Sequence, residues 1–467
     1  MTISDALVRK IRSITGPEGC LSTPEDLRCY SYDLFTRGIP ELVVLPRTTE
    51  EAARVLKLAN EDGTPVTPRG AGSSLTGGPV PIRGGISLCL ARMNRILEIS
   101  PRDRLARVQP GVVTHDFHQA VAKKGFFYPP DPASSFFCTL GGNVATNAGG
   151  PSGVKYGVTR DYLLGLTLAV PSGDVLVTGG RSFKNVTGYD FTHFLCGSEG
   201  LLGAITEITV KLLPRPEAVR TLLAFYSDVG PATEGVAQIM GNGIIPATLE
   251  IMDRNFLETV DQLFGFGFPA GIGAALLIEV DGPEALVGPQ AAAILDLCTK
   301  GGALSVQAAE SSEEREKLWK ARRAGTAALV RESKYVVSLD FCVPVSAISQ
   351  AVGDIQEIGR RYGMKVVVIG HAGDGNLHPM FFYDPDDPSQ AEAYAALEAE
   401  LVRSILGLSG TLSGEHGIGL EKAQYLSLEK APFELELSRR VKLAFDPNMI
   451  MNPGKCEWAA KTGPVRP

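Results

Sequence analysis

Three of the six histidines fall in two short segments, Gly370-His371-Ala372-Gly373-Asp374-Gly375-Asn376-Leu377-His378-Pro379 and Ser413-Gly414-Glu415-His416-Gly417-Ile418-Gly419. Their spacing suits a metal ion beside a proton acceptor. The apolar run 365–369, the Asp374-Gly375 pair and the apolar stretch 377–383 read as strand, two-residue turn and strand. In that register positions summing to 749 face each other, so His371 stands opposite His378, with Cβ atoms about 4.5 to 5.5 Å apart on one face. A divalent ion about 2.0 to 2.1 Å from each ring nitrogen bridges such a pair, and one carboxylate completes a three-ligand site with open positions. Glu415 is the expected third ligand. Gly414, Gly417 and Gly419 free the backbone to turn Glu415 and His416 into one pocket, so that His416 can accept a proton beside the ion. The plainer reading is a packed cross-strand histidine pair with Glu415 solvated on a loop; agreement of turn chemistry, register and residue type favours the metal.

Other features bound the protein that houses these residues. Its 467 residues exceed what one core usually supports, so two or three domains are expected. Apolar residues at 44% and charged residues at 21% describe a globular chain. A net charge of −7 gives no reason to expect nucleic acid. The start Met1-Thr2-Ile3-Ser4-Asp5 has no basic region leading into an apolar run, and no uninterrupted apolar stretch reaches spanning length. The expectation is therefore a cytoplasmic chain that does not span a membrane, peripheral to one at most through a partner. The eight cysteines are scattered with no Cys-x-x-Cys, which argues against a cysteine-held cluster or zinc site in this chain.

Thr48-Thr49-Glu50-Glu51 forms a Thr-x-x-Glu capping box that opens a helix to about 61, after a strand at 42–45. A second short strand at 65–68 then runs into Arg69-Gly70-Ala71-Gly72-Ser73-Ser74-Leu75-Thr76-Gly77-Gly78. Such a loop leaves many backbone N–H groups for oxygen anions. Leu75 stands where a Rossmann fingerprint needs its third glycine, Pro79 and Pro81 follow in place of a helix, and no Gly-Lys-Ser/Thr is present. The pyrophosphate of another kind of dinucleotide is the leading ligand. Two further small-residue blocks, 128–150 and 183–203, repeat the chemistry, the second entering a strand at 204–211. Three such blocks between strands suit one large ligand wrapped by backbone.

Together these segments resemble the flavin-linked oxidases of the vanillyl-alcohol oxidase superfamily, most closely the glycolate oxidase flavoprotein subunit and the D-lactate and D-2-hydroxyglutarate dehydrogenases. The likeness runs from about 41 to 455, and His-Ala-Gly-Asp-Gly-Asn-Leu-His-Pro at 371–379 is its most specific motif. The resemblance implies an α+β fold: an FAD-binding domain at 1–215, a cap domain with antiparallel sheet and helices at 216–445, and a tail at 446–467 returning to the first domain. It implies non-covalent FAD with its diphosphate on Pro68, Arg69, Gly70, Ala71, Gly72, Ser73, Thr76 and Gly77. Pro130, Asp131, Gly142, Asn143, Thr146, Asn147 and Gly149, with Gly197, Glu199, Gly200 and Ile205, would hold the remaining phosphate, ribose and isoalloxazine. Asn452 would contribute from the tail.

In the cap, strands are expected at 274–280, 303–307, 335–341, 365–369 and 377–383, and helices near 284–300, 312–332, 345–362 and 388–407. Arg322 and Thr326, four residues apart, share a helix face, and the resemblance implies that they bind the substrate carboxylate; a surface ion pair is the ordinary alternative for such an arginine. Ser338 and Met380 occupy positions that hold lysine and asparagine in the hydroxyglutarate enzymes, so a second substrate carboxylate has fewer evident partners. His115, His118 and His193 read as packing or surface residues.

The activity implied is oxidation of a small D-2-hydroxy acid, lactate, glycolate or similar, to the 2-oxo acid. An ion on His371, His378 and Glu415 would acidify the hydroxyl, His416 would take its proton and flavin N5 the hydride. Zinc, iron(II) and manganese all suit two histidines and a carboxylate. Electrons would leave to an iron–sulfur subunit, an electron-transfer flavoprotein, a quinone or a cytochrome, and a homodimer is compatible with this scheme. The alternatives are a flavin-free metallohydrolase and a non-catalytic FAD-binding subunit of an oxidase complex.

Overall fold

The computed structural model describes residues 3–332 and 335–456, with the side chains at 321, 324, 326–328 and 330–332 left out. By its contacts the chain divides into two compact units, Met1–Ala148 with Val158–Arg215 and Glu415–Pro467, and Gly149–Gly157 with Pro216–Gly414. Residues 415–445, expected in the cap, thus cluster with the first unit. The reason is local: Leu420 N–H donates to Thr76 O at 2.7 Å, and the buried Lys442 ammonium donates to Leu201 O at 2.6 Å and Met451 O at 2.8 Å.

In the first unit, Thr48 caps the helix Thr49–Asp62 by accepting from Glu51 N–H at 3.2 Å. The return bond of the box comes from Arg47 N–H, not from Thr48, at 2.7 Å to Glu51. The helix buries Ala52, Ala53, Val55, Leu56 and Ala59 against Leu42, Val44, Ile86 and Leu88. Those residues lie in a four-stranded sheet ordered Cys20–Leu21, Leu42–Val44, Ile86–Cys89, Val66–Arg69, in which the last three strands run parallel. A five-stranded antiparallel sheet follows, ordered Ile96–Ser100, Leu105–Val108, Ala204–Lys211, Leu163–Ala169, Val175–Gly179. Its strand Ala204–Lys211 matches the sequence reading. The Val66–Arg69 strand delivers the chain directly into the glycine-rich loop.

The second unit is built on an antiparallel sheet whose order is Ser305–Ala308, Ala218–Tyr226, Ala274–Gly282, Thr248–Asp253, Val366–His371, Asn376–Phe382, Val336–Ser338. Phe341–Cys342 pairs further along the Asn376–Phe382 strand. The expected helices form at Glu284–Lys300, Ser312–Glu332, Ile348–Arg361 and Pro388–Gly407. Two strands, Ala218–Tyr226 and Thr248–Asp253, were not expected. The second is buried at every position, so it carries no alternation of the kind that marks a half-exposed strand.

The hairpin differs from its expected register. Ile369 pairs with His378 and His371 with Asn376, so facing positions sum to 747. The connection is the four residues Ala372 to Gly375, and His371 O accepts from both Asp374 N–H at 3.3 Å and Gly375 N–H at 3.0 Å. His371 and His378 are thus diagonal neighbours. A two-residue difference in the sum is even, and because side chains alternate with period two, both imidazoles still leave the same face.

Gly375 has φ +84, and a Cβ there would run into the Val343 carbonyl, which belongs to the loop whose N–H donates to Gly375 O at 3.0 Å. Gly363 shares the left-handed backbone, φ +67, with open space around it. Gly375→Ala should destabilise by roughly 3 kcal/mol or more, left-handed strain of about 1–2 adding to overpacking of about 1–3, whereas Gly363→Ala incurs only the strain. Equal shifts of the two variants in urea unfolding would refute this account of the hairpin turn.

Candidate active site

Within the second unit the two imidazoles stand with ring centroids 5.2 Å apart and planes at 82°, both buried. Each is met by a carboxylate. His371 pairs across the ladder with Glu250, and its Nδ1 donates to Glu250 Oε1. The other carboxylate oxygen accepts from Arg322 Nε at 2.9 Å, and Arg322 also makes an ion pair with it at 2.8 Å. Glu250 has 0% of its surface exposed. Burial pushes its carboxyl up, but the charges of His371 and Arg322, with the hydrogen bond from His371, outweigh this and hold it below the ordinary range. His378 Nδ1 lies 3.9 Å from Asp340 Oδ1, and Asp340, also fully buried, accepts from the Ser413 hydroxyl at 2.6 Å.

Glu250 and Asp340 are the residues that sequence reasoning missed. Each is an acid in an apolar run, Leu249-Glu250-Ile251-Met252 and Leu339-Asp340-Phe341, and that is the signal that could have found them, since a buried carboxylate needs a cation or donors. Arg322, expected to meet a substrate carboxylate, has a protein carboxylate on its guanidinium. Thr326's side chain lies outside the described residues. Ser338 and Met380 are register partners, with Met380 packed into the core beside Met252 and Ile369.

In the first unit, Glu415 Oε1 lies 3.8 Å from His416 Nε2, and three groups fix their segment. The Thr76 hydroxyl donates to His416 O at 3.4 Å, and Thr76 O accepts from Leu420 N–H. The Glu199 carboxylate accepts from Ile418 N–H at 2.9 Å and Gly419 N–H at 2.8 Å. Burial raises the Glu199 carboxyl, opposed by those two N–H groups. Asn452 Nδ2 donates to Gly78 O at 3.1 Å and Glu199 O at 2.8 Å, tying the tail to the glycine-rich loop and to the block that carries Glu199.

The loop itself suits an anion. Among the described residues the backbone N–H groups of Ala71, Gly72 and Ser73 donate to no protein acceptor. A Cβ at Gly72, φ +78, would strike the Arg69 guanidinium, which is buried inside the loop and donates to Pro79 O at 3.4 Å. Arg69 thus adds positive potential from within the loop. The later blocks stand beside one another: Gly197 N–H donates to Val144 O at 2.9 Å and Glu199 N–H to Ala145 O at 2.8 Å. Several side chains expected on the cofactor are used inside the protein. Asn143 donates to Thr114 at 2.8 Å, Thr146 donates to Gly142 O at 3.3 Å, Asn147 accepts from Arg160 N–H at 2.9 Å, and Ile205 is buried in its strand. His118 bonds to Pro130 O at 2.9 Å, His115 stacks on Phe136 and His193 pairs with Asp190.

Residues 40–179 match the model of an FAD binding domain, and residues 215–456 match the model of the FAD linked oxidases, C-terminal domain. The chain is 41% identical to the glycolate oxidase subunit GlcD of Bacillus subtilis (strain 168), covering 97% of each. It is 37% identical to the subunit of that name from Escherichia coli (strain K12), over 93% of this chain and 87% of the relative. It is 33% identical to the D-lactate dehydrogenase of Anaerostipes hadrus, over 97% of each. Among solved structures, p-cresol methylhydroxylase with substrate bound superposes with a TM-score of 0.81 at 18% identity, over 97% of this chain and 96% of that one, a likeness of fold.

Glu199→Ala would strip the acceptors from two backbone N–H groups at about 1–3 kcal/mol each. The variant should melt earlier and be cut faster by protease within 415–420, with the second unit's cleavage sites unchanged. Wild-type cleavage rates in that segment would show that Glu199 does not hold it.

Proposed function

The chain belongs to the FAD-linked oxidase family, and from that premise we propose that it oxidises a small D-2-hydroxy acid, of the size of lactate or glycolate, to the 2-oxo acid with a divalent ion in its site. FAD-dependent oxidation of a hydroxy acid follows from the family and its named relatives; a flavin-free hydrolase does not fit it. The observation that carries the metal is the pair of buried imidazoles on one hairpin face. Two imidazoles and a carboxylate make the donor set of an open catalytic site for zinc, iron(II) or manganese.

His371, His378 and Glu415 would hold the ion. Glu415 follows Ser413 by two residues, so the backbone limits its Cα to about 7 Å from that of Ser413, whose hydroxyl is bound to Asp340 beside His378. For FAD, the unspent N–H groups of Ala71, Gly72 and Ser73 fit a diphosphate. Bound FAD supplies the two-electron acceptor, and a bound divalent ion supplies a Lewis acid that lowers the hydroxyl's pKa.

His416 takes the hydroxyl proton. Glu415 lies 3.8 Å from its Nε2, so the carboxylate ligand and the proton acceptor would stand side by side. The carbonyl bond from Thr76 orients the His416 backbone, so the ring is presented by a fixed segment. Arg322 would face the substrate carboxylate with the part of its fork not spent on Glu250, with Thr326 one helical turn on. In the reaction C2 loses a hydride and its oxygen a proton, giving the keto acid.

The electrons would pass from the flavin to a partner protein or a quinone. Two relatives are named as subunits, which supports an iron–sulfur protein or a comparable acceptor as that partner. Among the described residues no helix is long and apolar enough to cross a membrane.

His416→Ala should retain FAD yet lower the rate of anaerobic flavin bleaching by D-lactate or glycolate roughly 10²–10⁴-fold, the range of general-base contributions. Chelation should stop bleaching and leave the protein yellow, with zinc or manganese restoring it. Undiminished bleaching in the variant would remove His416 from the chemistry, and chelator-resistant bleaching would remove the metal.

A further inference from the structure

We infer that Glu250 is the positioning residue of the metal site, a single buried carboxylate that sets the tautomer and tilt of His371 and holds Arg322 at the same time. The inference deepens the metal reading above and rests on it. Four observations carry it. Glu250 is the direct cross-strand partner of His371, so the two side chains leave the same face directly opposite each other. It accepts from Nδ1, which assigns ligation to Nε2. It is wholly buried, and its charge is kept by the two groups it contacts. Its second oxygen is occupied by Arg322, so the carboxylate cannot rotate away from the imidazole without abandoning a buried guanidinium.

A carboxylate on the far nitrogen of a ligating histidine fixes ring orientation and raises ligand basicity, and its loss costs roughly 10–100-fold in metal affinity. Neither the metal ligands nor the proton acceptor substitutes for this role. Asp340, near His378, stands at 3.9 Å, beyond a hydrogen bond. His371 is the ligand that a buried carboxylate orients.

The test uses FAD-loaded protein stripped of metal and titrated with zinc against a chromophoric chelator. Glu250→Gln keeps the shape and removes the charge. Its zinc dissociation constant should rise roughly 10–100-fold, with FAD content unchanged and flavin reduction restored by excess zinc. An effect only on melting temperature, with zinc affinity as in wild type, would overturn the inference. His378→Ala separates the two levels. If wild type binds one zinc and His378→Ala loses it while Glu250→Gln does not, the positioning role alone fails; if wild type binds none, the metal reading fails and this inference with it. A measurement free of variants stands beside these: proton NMR of wild type with its histidines labelled in heavy nitrogen should show one downfield, slowly exchanging imidazole N–H above neutral pH. Its absence would equally overturn the assignment.

Discussion

A carboxylate with no exposed surface is tolerable only while a cation and hydrogen-bond donors stay on it, and that constraint organises the second unit around Glu250. Breaking such a buried pair costs about 3–5 kcal/mol, a large part of what holds a domain of this size together. The cost is paid in register. Sliding Thr248–Asp253 by one residue would turn Glu250 to the opposite face of the sheet, leaving His371 and Arg322 without their anion. The strand is central, flanked by Ala274–Gly282 and Val366–His371, so correct alignment of the histidine hairpin is tied to the folding of the sheet. A site built this way is fixed before any ligand arrives.

What the sequence made legible follows from which signals are local. Helices Glu284–Lys300, Ser312–Glu332 and Pro388–Gly407 and the strand Ala204–Lys211 form where periodicity and caps place them. Asp374-Gly375 was a sound turn signal, yet the turn takes four residues because His371 O captures two successive N–H groups. Only the parity of the error preserved the histidine face. Glu250 escaped because its partners lie 121 and 72 positions away. A glutamate inside a short apolar run hints at burial but nothing local names the groups that must meet it, and the strand that carries it, buried on both sides, shows no alternation. The same loss of alternation hid Thr248–Asp253 as a strand.

In the first unit, residues named for the cofactor also serve the protein's own bonding. Glu199, Asn143 and Asn452 were expected to face the cofactor, but their polar atoms close hydrogen bonds within the protein. Those bonds brace the segments that carry them. Backbone N–H groups of the 71–73 stretch stay unspent, and a diphosphate is recognised well by backbone dipoles without any side chain. Sequence motifs of small and amide residues mark such places because tight packing and internal bonding shape the loop, whichever atoms then meet the ligand.

Thr76 shows why this matters for the chemistry as well as for binding. Its hydroxyl holds the carbonyl of His416 and its carbonyl holds the N–H of Leu420, while Glu199, from the third small-residue block, grips Ile418 and Gly419 between them. The stretch 416–420 has no regular secondary structure of its own, so these borrowed bonds are what order it. Ordering a residue's backbone costs about 1–2 kcal/mol, and five residues need several good bonds to offset that. Because the bonds come from the loop and blocks expected to wrap the dinucleotide, the placement of His416, the proposed proton acceptor, depends on the same backbone that would shape the cofactor cradle. A segment held in that way can stay glycine-rich and irregular, free to turn Glu415 and His416 as the chemistry needs, without becoming mobile.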